Sequence, residues 1–521
     1  MKKELLSFEQ TGAFSSFFLD YAGNKPSLKD FFSRFPSVTN FAEQILEKKK
    51  SFTAESRAVL KASLEKQYGE IKPTGAVRKN IDLLESDTTF TIVTGHQLNL
   101  FSGPLYFIYK IVSTINACKQ LKVAYPGYDF VPVYWMASED HDFEEISYFK
   151  LLGKKYTWKT EQQGAVGRMH LKELLPLLSE VPGDLEPFAA AYKSSATLSE
   201  AVRKYVHALF ADEGLIVIDA DDRELKHRFS GVMEADVFSG ITKKLVDTTN
   251  EDLRKAGYEP QVLARDCNFF YLDTGIRERI EQSEKDFKVI DGSLTFNESE
   301  VRKMILEEPE KLSPNVILRP LYQEMILPNL AYIGGPAEMV YWLQLKKVFD
   351  HFQTPFPILL PRNFALVVDQ PAMRLVKRTG VSTAELFQTK QNLLNSIALR
   401  NSTYPLRLDN PKKYFESTLN EIRQQALNVD PTLAKMVAAE LHRITQGLER
   451  MEHKMLRAEK RKGSDVLRQT ETVKEKLFPG GGLQERIDNV LNFYQTDRQF
   501  INSLLEHLDP FDLRFHVLIY E

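Results

Sequence analysis

Two clusters of polar residues, each following directly on an apolar run, carry the side chains best suited to chemistry. Thr94-Gly95-His96-Gln97 follows Phe90-Thr91-Ile92-Val93, and Ser138-Glu139-Asp140-His141-Asp142 follows the run Phe130 to Met136, in which Trp135 stands. A neutral imidazole can donate to a phosphate or a developing oxyanion, and a Gln amide can orient a carboxylate. The plainer alternative is a turn whose His96 caps the next helix. In the second cluster, carboxylates beside a His can tune it as a base, bind a substrate ammonium, or join it in holding a divalent metal. The alternative there is a solvated acidic loop, with Glu144 and Glu145 in the first turn of a helix where the macrodipole favours them. Ligands crowded into one loop suit a metal less well than spaced ones. A polar active-site loop without a metal is therefore the preferred reading, with Asp140, His141 and Asp142 as its catalytic candidates.

A third set lies further on. Arg319, in Leu318-Arg319-Pro320-Leu321-Tyr322-Gln323-Glu324, offers a two-pronged donor for a carboxylate or phosphate. An internal ion pair would use the same group equally well. Gly334-Gly335-Pro336 lets the backbone approach a ligand closely, and Glu338 follows it. The substrate-binding candidates are thus Thr94, Gly95, His96, Gln97, Gly103, Trp135, Glu139, Arg319, Tyr322, Gln323, Gly334 and Gly335. No G-x-x-x-x-G-K-[ST], G-x-G-x-x-G or H-E-x-x-H sequence is present, so a nucleotide, if used, is not held by a P-loop. Cys118 and Cys267 are the only cysteines and read as structural; two thiols exclude a disulfide framework and a zinc site of three or four thiolates.

The elements that must position these residues follow from the apolar pattern. Between the first two clusters, Pro104 opens a segment with Leu105, Ile108, Ile111, Val112 and Ile115 on one face, an amphipathic helix. Strand, loop, helix and strand make a βαβ unit, and ligands in such sheets bind outside the carboxyl ends of the strands. Further apolar runs at Gly214 to Ala220 and Pro357 to Arg362 extend the pattern to an α/β fold with a parallel sheet covered on both faces. Residues 1 to about 85 read as mainly helical, and residues 151–211 and 245–310 as insertions. This core, with its N-terminal helices, spans residues 1–377.

Residues 378–509 read as helical. Val437, Leu441, Ile444, Leu448, Met451 and Met455 form a heptad seam, and Phe478-Pro479-Gly480-Gly481-Gly482 stops the helix. A second helix through Ile487 to Leu508 is expected to fold back on the first as an antiparallel coiled-coil hairpin. Residues 510–521 are expected to return to the core as a strand. The net charge of −3 gives no support to nucleic-acid or membrane-surface binding. No run reaches the ~18–20 apolar residues of a membrane span, and the N-terminus lacks the apolar core of a signal peptide. The expected location is cytoplasmic. A metal-dependent hydrolase built on Asp140-His141-Asp142 and a non-enzymatic coiled-coil scaffold are two functions these features could serve.

Longer blocks carry a resemblance. Thr94-Gly95-His96-Gln97 with Phe101-Ser102-Gly103-Pro104-Leu105-Tyr106, Trp135 through Glu145, Leu318 through Glu324, Ala331 through Pro336 and Phe478 through Arg486 resemble the BshC family of bacillithiol-biosynthesis cysteine-adding enzymes. The likeness runs over essentially the whole chain. It implies a Rossmann-like core with connecting-peptide insertions and a C-terminal coiled coil supporting a homodimer. It also implies a ligase that joins cysteine to the amino group of glucosaminyl-malate, giving bacillithiol. The core is similar, at a distance, to cysteine-activating ligases of the class I aminoacyl-tRNA synthetase type, although no H-I-G-H or K-M-S-K-S sequence is present. The resemblance leaves the cofactor unidentified, with ATP the candidate.

Overall fold

The computed structural model describes residues 1–69, 71–283, 286–290 and 294–520. Its centre is a five-stranded parallel sheet of β1 (Thr89–His96), β2 (Asp129–Met136), β3 (Ile216–Asp219), β4 (Asn329–Gly334) and β5 (Ile358–Pro361). The spatial order is β5-β4-β1-β2-β3. All five strands are apolar on both faces, as a sheet buried on both sides requires. The order reverses between β1 and β4, so the loops leaving those two strands diverge and open a crevice. The apolar runs single out four of these strands. The fifth, β4, lies in Asn329-Leu330-Ala331-Tyr332-Ile333-Gly334, whose apolar core is short and closely flanked by Pro328 and Gly335; it completes the switch point.

Helix α1 (Tyr106–Ala124) crosses from β1 to β2. The expected apolar stripe is there, but the opposite side is covered as well, and residues Phe107 to Cys118 are all buried. The cover is the C-terminal helix Phe500–His507 with its flanking turn: Asn116 donates to the carbonyls of Leu505 (2.9 Å) and Leu508 (2.6 Å). This corrects the expected hairpin. The seam helix α3 (Leu433–Lys462) folds back instead on α2 (Asp409–Val429), with Asp430-Pro431-Thr432 as the turn. Ile487 to Leu508 forms short helices that pack on the core.

The N-terminal segment is not wholly helical. Lys2–Leu6 pairs antiparallel with Phe515–Ile519, which lies parallel to Phe364–Val368. The returning C-terminal strand thus forms a second, three-stranded sheet; residue 521 lies outside the described residues. The first insertion begins with a hairpin, Tyr148–Leu151 with Lys154–Thr157, before its helices. The second carries an antiparallel sheet built from Phe269–Asp273, Ile276–Ser283, Asp286–Val289, Thr295–Asn297 and Leu312–Pro314. Part of that insertion's expected charged stretch, 284–285 and 291–293, lies outside the described residues.

Candidate active site

The carboxyl ends of β1, β2 and β4 open into a crevice of about 650 Å³, within the size range of small-molecule sites. Its floor is a chain of paired charges. Lys110 on α1 reaches the Glu338 carboxylate at 2.6 Å and donates to the Gly95 carbonyl at 2.8 Å. The Tyr332 hydroxyl donates to the other Glu338 oxygen at 2.5 Å, and the Gly335 N–H donates to Glu338 at 2.7 Å. Beside them the buried Arg362 guanidinium pairs with the buried Glu485 carboxylate at 2.6 Å. A buried ion needs such partners, because stripping its hydration costs several kcal/mol. Burial pushes the Lys110 ammonium below its ordinary range, and the Glu338 charge offsets part of that.

Against this floor stands the loop after β2. Asp140 receives the Gln97 amide (3.3 Å) and the backbone N–H groups of His141 (2.8 Å) and Asp142 (3.4 Å). The guanidinium groups of Arg319 (3.8 Å) and Arg277 (4.0 Å) stand over its two oxygens. Burial raises the Asp140 carboxyl, but the two arginines and the hydrogen bonds outweigh it and hold the group at about 2. Arg277 is itself buried, stacks on the Phe270 ring at 4.0 Å and meets His141 Nδ1 at 2.5 Å. A guanidinium has no acceptor, so Nδ1 carries the lone pair and the proton of a neutral His141 lies on Nε2. Burial and the Arg277 charge lower the His141 pKa. His96, beside Lys110 and Arg362, is pushed well below the ordinary histidine range, first by burial and then by those cations. It is a neutral imidazole whose Nε2 faces the Asn99 amide at 3.1 Å.

Of the residues expected at the site, Gly95, His96, Gln97, Trp135, Asp140, His141, Arg319, Gln323 and Gly335 line the crevice. A Cβ on Gly95 would stand 3.3 Å from the Tyr332 hydroxyl, a close approach that glycine permits. The others stand outside the wall. Thr94 is buried and ties β1 to β4 by donating to the Ile333 carbonyl at 2.8 Å. Glu139 is buried in an ion pair with Lys226, and Tyr322 donates to the Ala220 carbonyl at 2.9 Å behind Trp135. Gly334 packs against Met339. Gly103 sits at φ +63° in the turn before α1, where a Cβ would lie 2.4 Å from that of Asn99. Asp142 caps the short helix Phe143–Ile146 by accepting from the Glu145 N–H at 3.2 Å.

Asp140 and His141 therefore share Arg277, while Asp142 turns away to cap the Phe143–Ile146 helix. Among the described residues no three His, Cys, Asp or Glu side chains are gathered to hold a metal, and two guanidinium groups already occupy the approach to Asp140. The metal-hydrolase alternative has no ligand set here.

Sequence reasoning missed Lys110, Arg277 and Arg486. Lys110 had a signal: it is the only charged residue between Gly103 and Cys118, and a lone charge inside a buried helix needs a partner. Arg277 and Arg279 come from a charged strand of the second insertion, where spacing alone gives no reason to choose them.

Comparisons with known proteins identify the family of the chain. Residues 1–363 match the family described as bacillithiol biosynthesis BshC, N-terminal Rossmann-like domain, and residues 365–520 match the BshC C-terminal coiled-coil domain. A Flavobacterium johnsoniae protein named "Putative cysteine ligase BshC" is 40% identical over 529 residues, covering 99% of this chain and 100% of that protein. Relatives of the same name from Flavobacterium psychrophilum (38%, covering 99% of each chain) and Salinibacter ruber (29%, covering 98% of this chain and 96% of that one) extend the likeness. A full-length match to ligases sets the scaffold alternative aside, and the chain belongs to the BshC family of bacillithiol biosynthesis, as a ligase with a Rossmann-like core and a C-terminal coiled coil.

Proposed function

We propose that the protein adds cysteine to the amino group of glucosaminyl-malate, forming the amide bond of bacillithiol in the cytoplasm. The observation that carries this reading is Asp140, a carboxylate held ionised inside a cation-rich crevice at the switch point of the sheet. The acceptor substrate has one amino group and two carboxylates, and the crevice offers Asp140 as an anion beside Arg277 and Arg319, with further arginines on its wall.

Amide formation from a carboxylate and an ammonium removes water, so the cysteine carboxyl must be activated and the amine must lose a proton. ATP is the candidate for the activation. A carboxyl at about 2 is too weak a base to take a proton from an alkylammonium at neutral pH, so Asp140 binds and orients the amino group rather than deprotonating it. Arg319 and Gln97 bind the malyl carboxylates. His96, neutral and half-buried, is a hydrogen-bond donor to the oxyanion that forms as the amine attacks. His141 has its Nδ1 lone pair directed at Arg277, which leaves Nε2–H as a donor. Asp142 supports the loop from its capping position.

The heptad helices are the proposed dimer contact. Tyr414, Ile422, Val429, Met436 and Met451 leave apolar side chains exposed on α2 and α3, more than a solvated helix pair needs. Only Val437 of the expected seam is buried within the chain.

The test of the reaction is direct. Purified protein is incubated with cysteine and glucosaminyl-malate, with and without ATP, and the product is followed by mass. Bacillithiol formed by wild type and not by Asp140→Asn supports the reading; equal turnover by both removes Asp140 from it.

A further inference from the structure

The Phe478-Pro479-Gly480-Gly481-Gly482-Leu483-Gln484-Glu485-Arg486 block has a use beyond stopping a helix. After Gly482 the chain turns back onto the Rossmann-like core and is fixed at two places. Gln484 behaves as a piece of strand: its amide accepts from the Val367 N–H at 2.8 Å and donates to the Val367 carbonyl at 3.0 Å. Glu485, fully buried, takes the Ala365 N–H at 3.0 Å and the Arg362 guanidinium at 2.6 Å. Three residues beyond Arg486, Asn489 donates to the carbonyls of Phe101 (2.8 Å) and Gly103 (2.7 Å). Those carbonyls belong to the turn between β1 and α1, in which Phe101, Ser102 and Gly103 all have positive φ. Two of the three are not glycine, a conformation that persists only where its surroundings enforce it.

Arg486 lies between these anchors and lines the crevice near Tyr106. Unlike Arg277, Arg319 and Arg362, which face Asp140 or Glu485, it has no carboxylate partner among the described residues. Arg265 and Arg279, on the opposite insertion, line the crevice with the same lack. Unpaired guanidinium groups on a docked, over-determined backbone are suited to an anion with little ordering cost.

We propose that Arg486 is a substrate-binding residue, contributed by the C-terminal domain, that receives an anionic group of the substrate in the crevice. The ligase site is then composite, closed by a segment of the coiled-coil domain. This deepens the proposed function and rests on it for the identity of the substrate. The anion is a carboxylate of the malyl group or a phosphate of a nucleotide, which share the chemistry Arg486 recognises.

The test uses the full-length protein and two probes, malate and inorganic pyrophosphate, titrated against the fluorescence of Trp135 and Trp342 in the crevice wall. Loss of one charge-assisted hydrogen bond predicts that Arg486→Gln weakens one probe by about tenfold or more. Arg486→Lys, which keeps the charge and loses the fork, recovers part of that. The weakened probe identifies the source, malate for a carboxylate and pyrophosphate for a phosphate. Arg486→Gln must retain the wild-type circular dichroism and urea midpoint, since the exposed side chain makes no hydrogen bond or ion pair among the described residues. Wild-type affinity for both probes in Arg486→Gln overturns the assignment, and so does a wild-type protein that binds neither. Product formation from glucosaminyl-malate, measured on the wild type alone, tests the proposed reaction separately.

Discussion

Replacing Asp140 by Asn tests the electrostatics of the crevice quantitatively. The wild-type carboxyl is held at about 2 against an ordinary 3.8. At about 1.4 kcal/mol per pH unit, that difference corresponds to about 2.5 kcal/mol of stability contributed by the ionised group. The side chain is 18% exposed, so solvent screening leaves most of it in place. The sign follows from the direction. A carboxyl depressed by folding stabilises the protein at every pH above its unfolded value near 4, and the contribution disappears as pH falls towards 2. Asn keeps the size and loses the charge, leaving Arg277 and Arg319 facing each other without their anion. Urea unfolding should therefore show Asp140→Asn less stable than wild type by about 2 kcal/mol from pH 7 to pH 4, with the two curves converging below pH 4. A difference that is absent at pH 7, or that persists unchanged at pH 3, would refute the account of Asp140 as an anion held by two guanidinium groups.

Other perturbations follow from the same contacts. Glu485→Ala leaves Arg362 buried without its partner and should cost about 3–5 kcal/mol in urea unfolding; the double variant Arg362→Met with Glu485→Leu should recover much of this, and equal loss in both would mean that the pair is not the cause. Gly103→Ala places a Cβ against Asn99 at a positive φ and should lower stability by about 1–3 kcal/mol; an unchanged urea midpoint would contradict the turn geometry. Changing Tyr414, Val429 and Met436 together to Glu, at side chains 69%, 80% and 57% exposed, should convert a dimer to a monomer in light scattering with secondary structure intact. A dimer that survives these changes would exclude that face as its contact.

Much of this organisation is legible in the sequence, and the exceptions have physical reasons. The strands β1 and β2 announce themselves because a sheet buried on both faces needs continuous apolar runs, and the polar loops after them fall where such sheets bind ligands. β4 is less visible because its apolar run is brief and bounded by Pro and Gly. The seam at Val437 to Met455 shows that a helix pair exists, but not which helix is the partner. Asp409–Val429, with charged and amide side chains throughout and no fully buried residue, has too weak a stripe to be chosen over Ile487 to Leu508. That second segment is apolar for another reason, since it covers α1. The candidate site divides in the same way. Gly95 and His96 end β1, Gln97 and Asp140 lie in the polar loops beyond β1 and β2, Arg319 opens the helix Arg319–Ile326, and all five meet in the crevice. Thr94, Glu139 and Tyr322 stand beside them in sequence, yet the alternation of a strand and the turn of a helix send their side chains inward to bury against Ile333, Lys226 and Ala220. Arg277 and Arg486 arrive from segments some 135 and 345 positions beyond His141, joined to the site only by the tertiary fold.

The most direct test of the central claim is mass spectrometry of small thiols in cells that carry or lack this gene. The account predicts that its loss abolishes bacillithiol and accumulates glucosaminyl-malate, and that wild type restores the thiol where Asp140→Asn does not. Bacillithiol at the normal level in the deleted strain, with no accumulated glucosaminyl-malate, would contradict it.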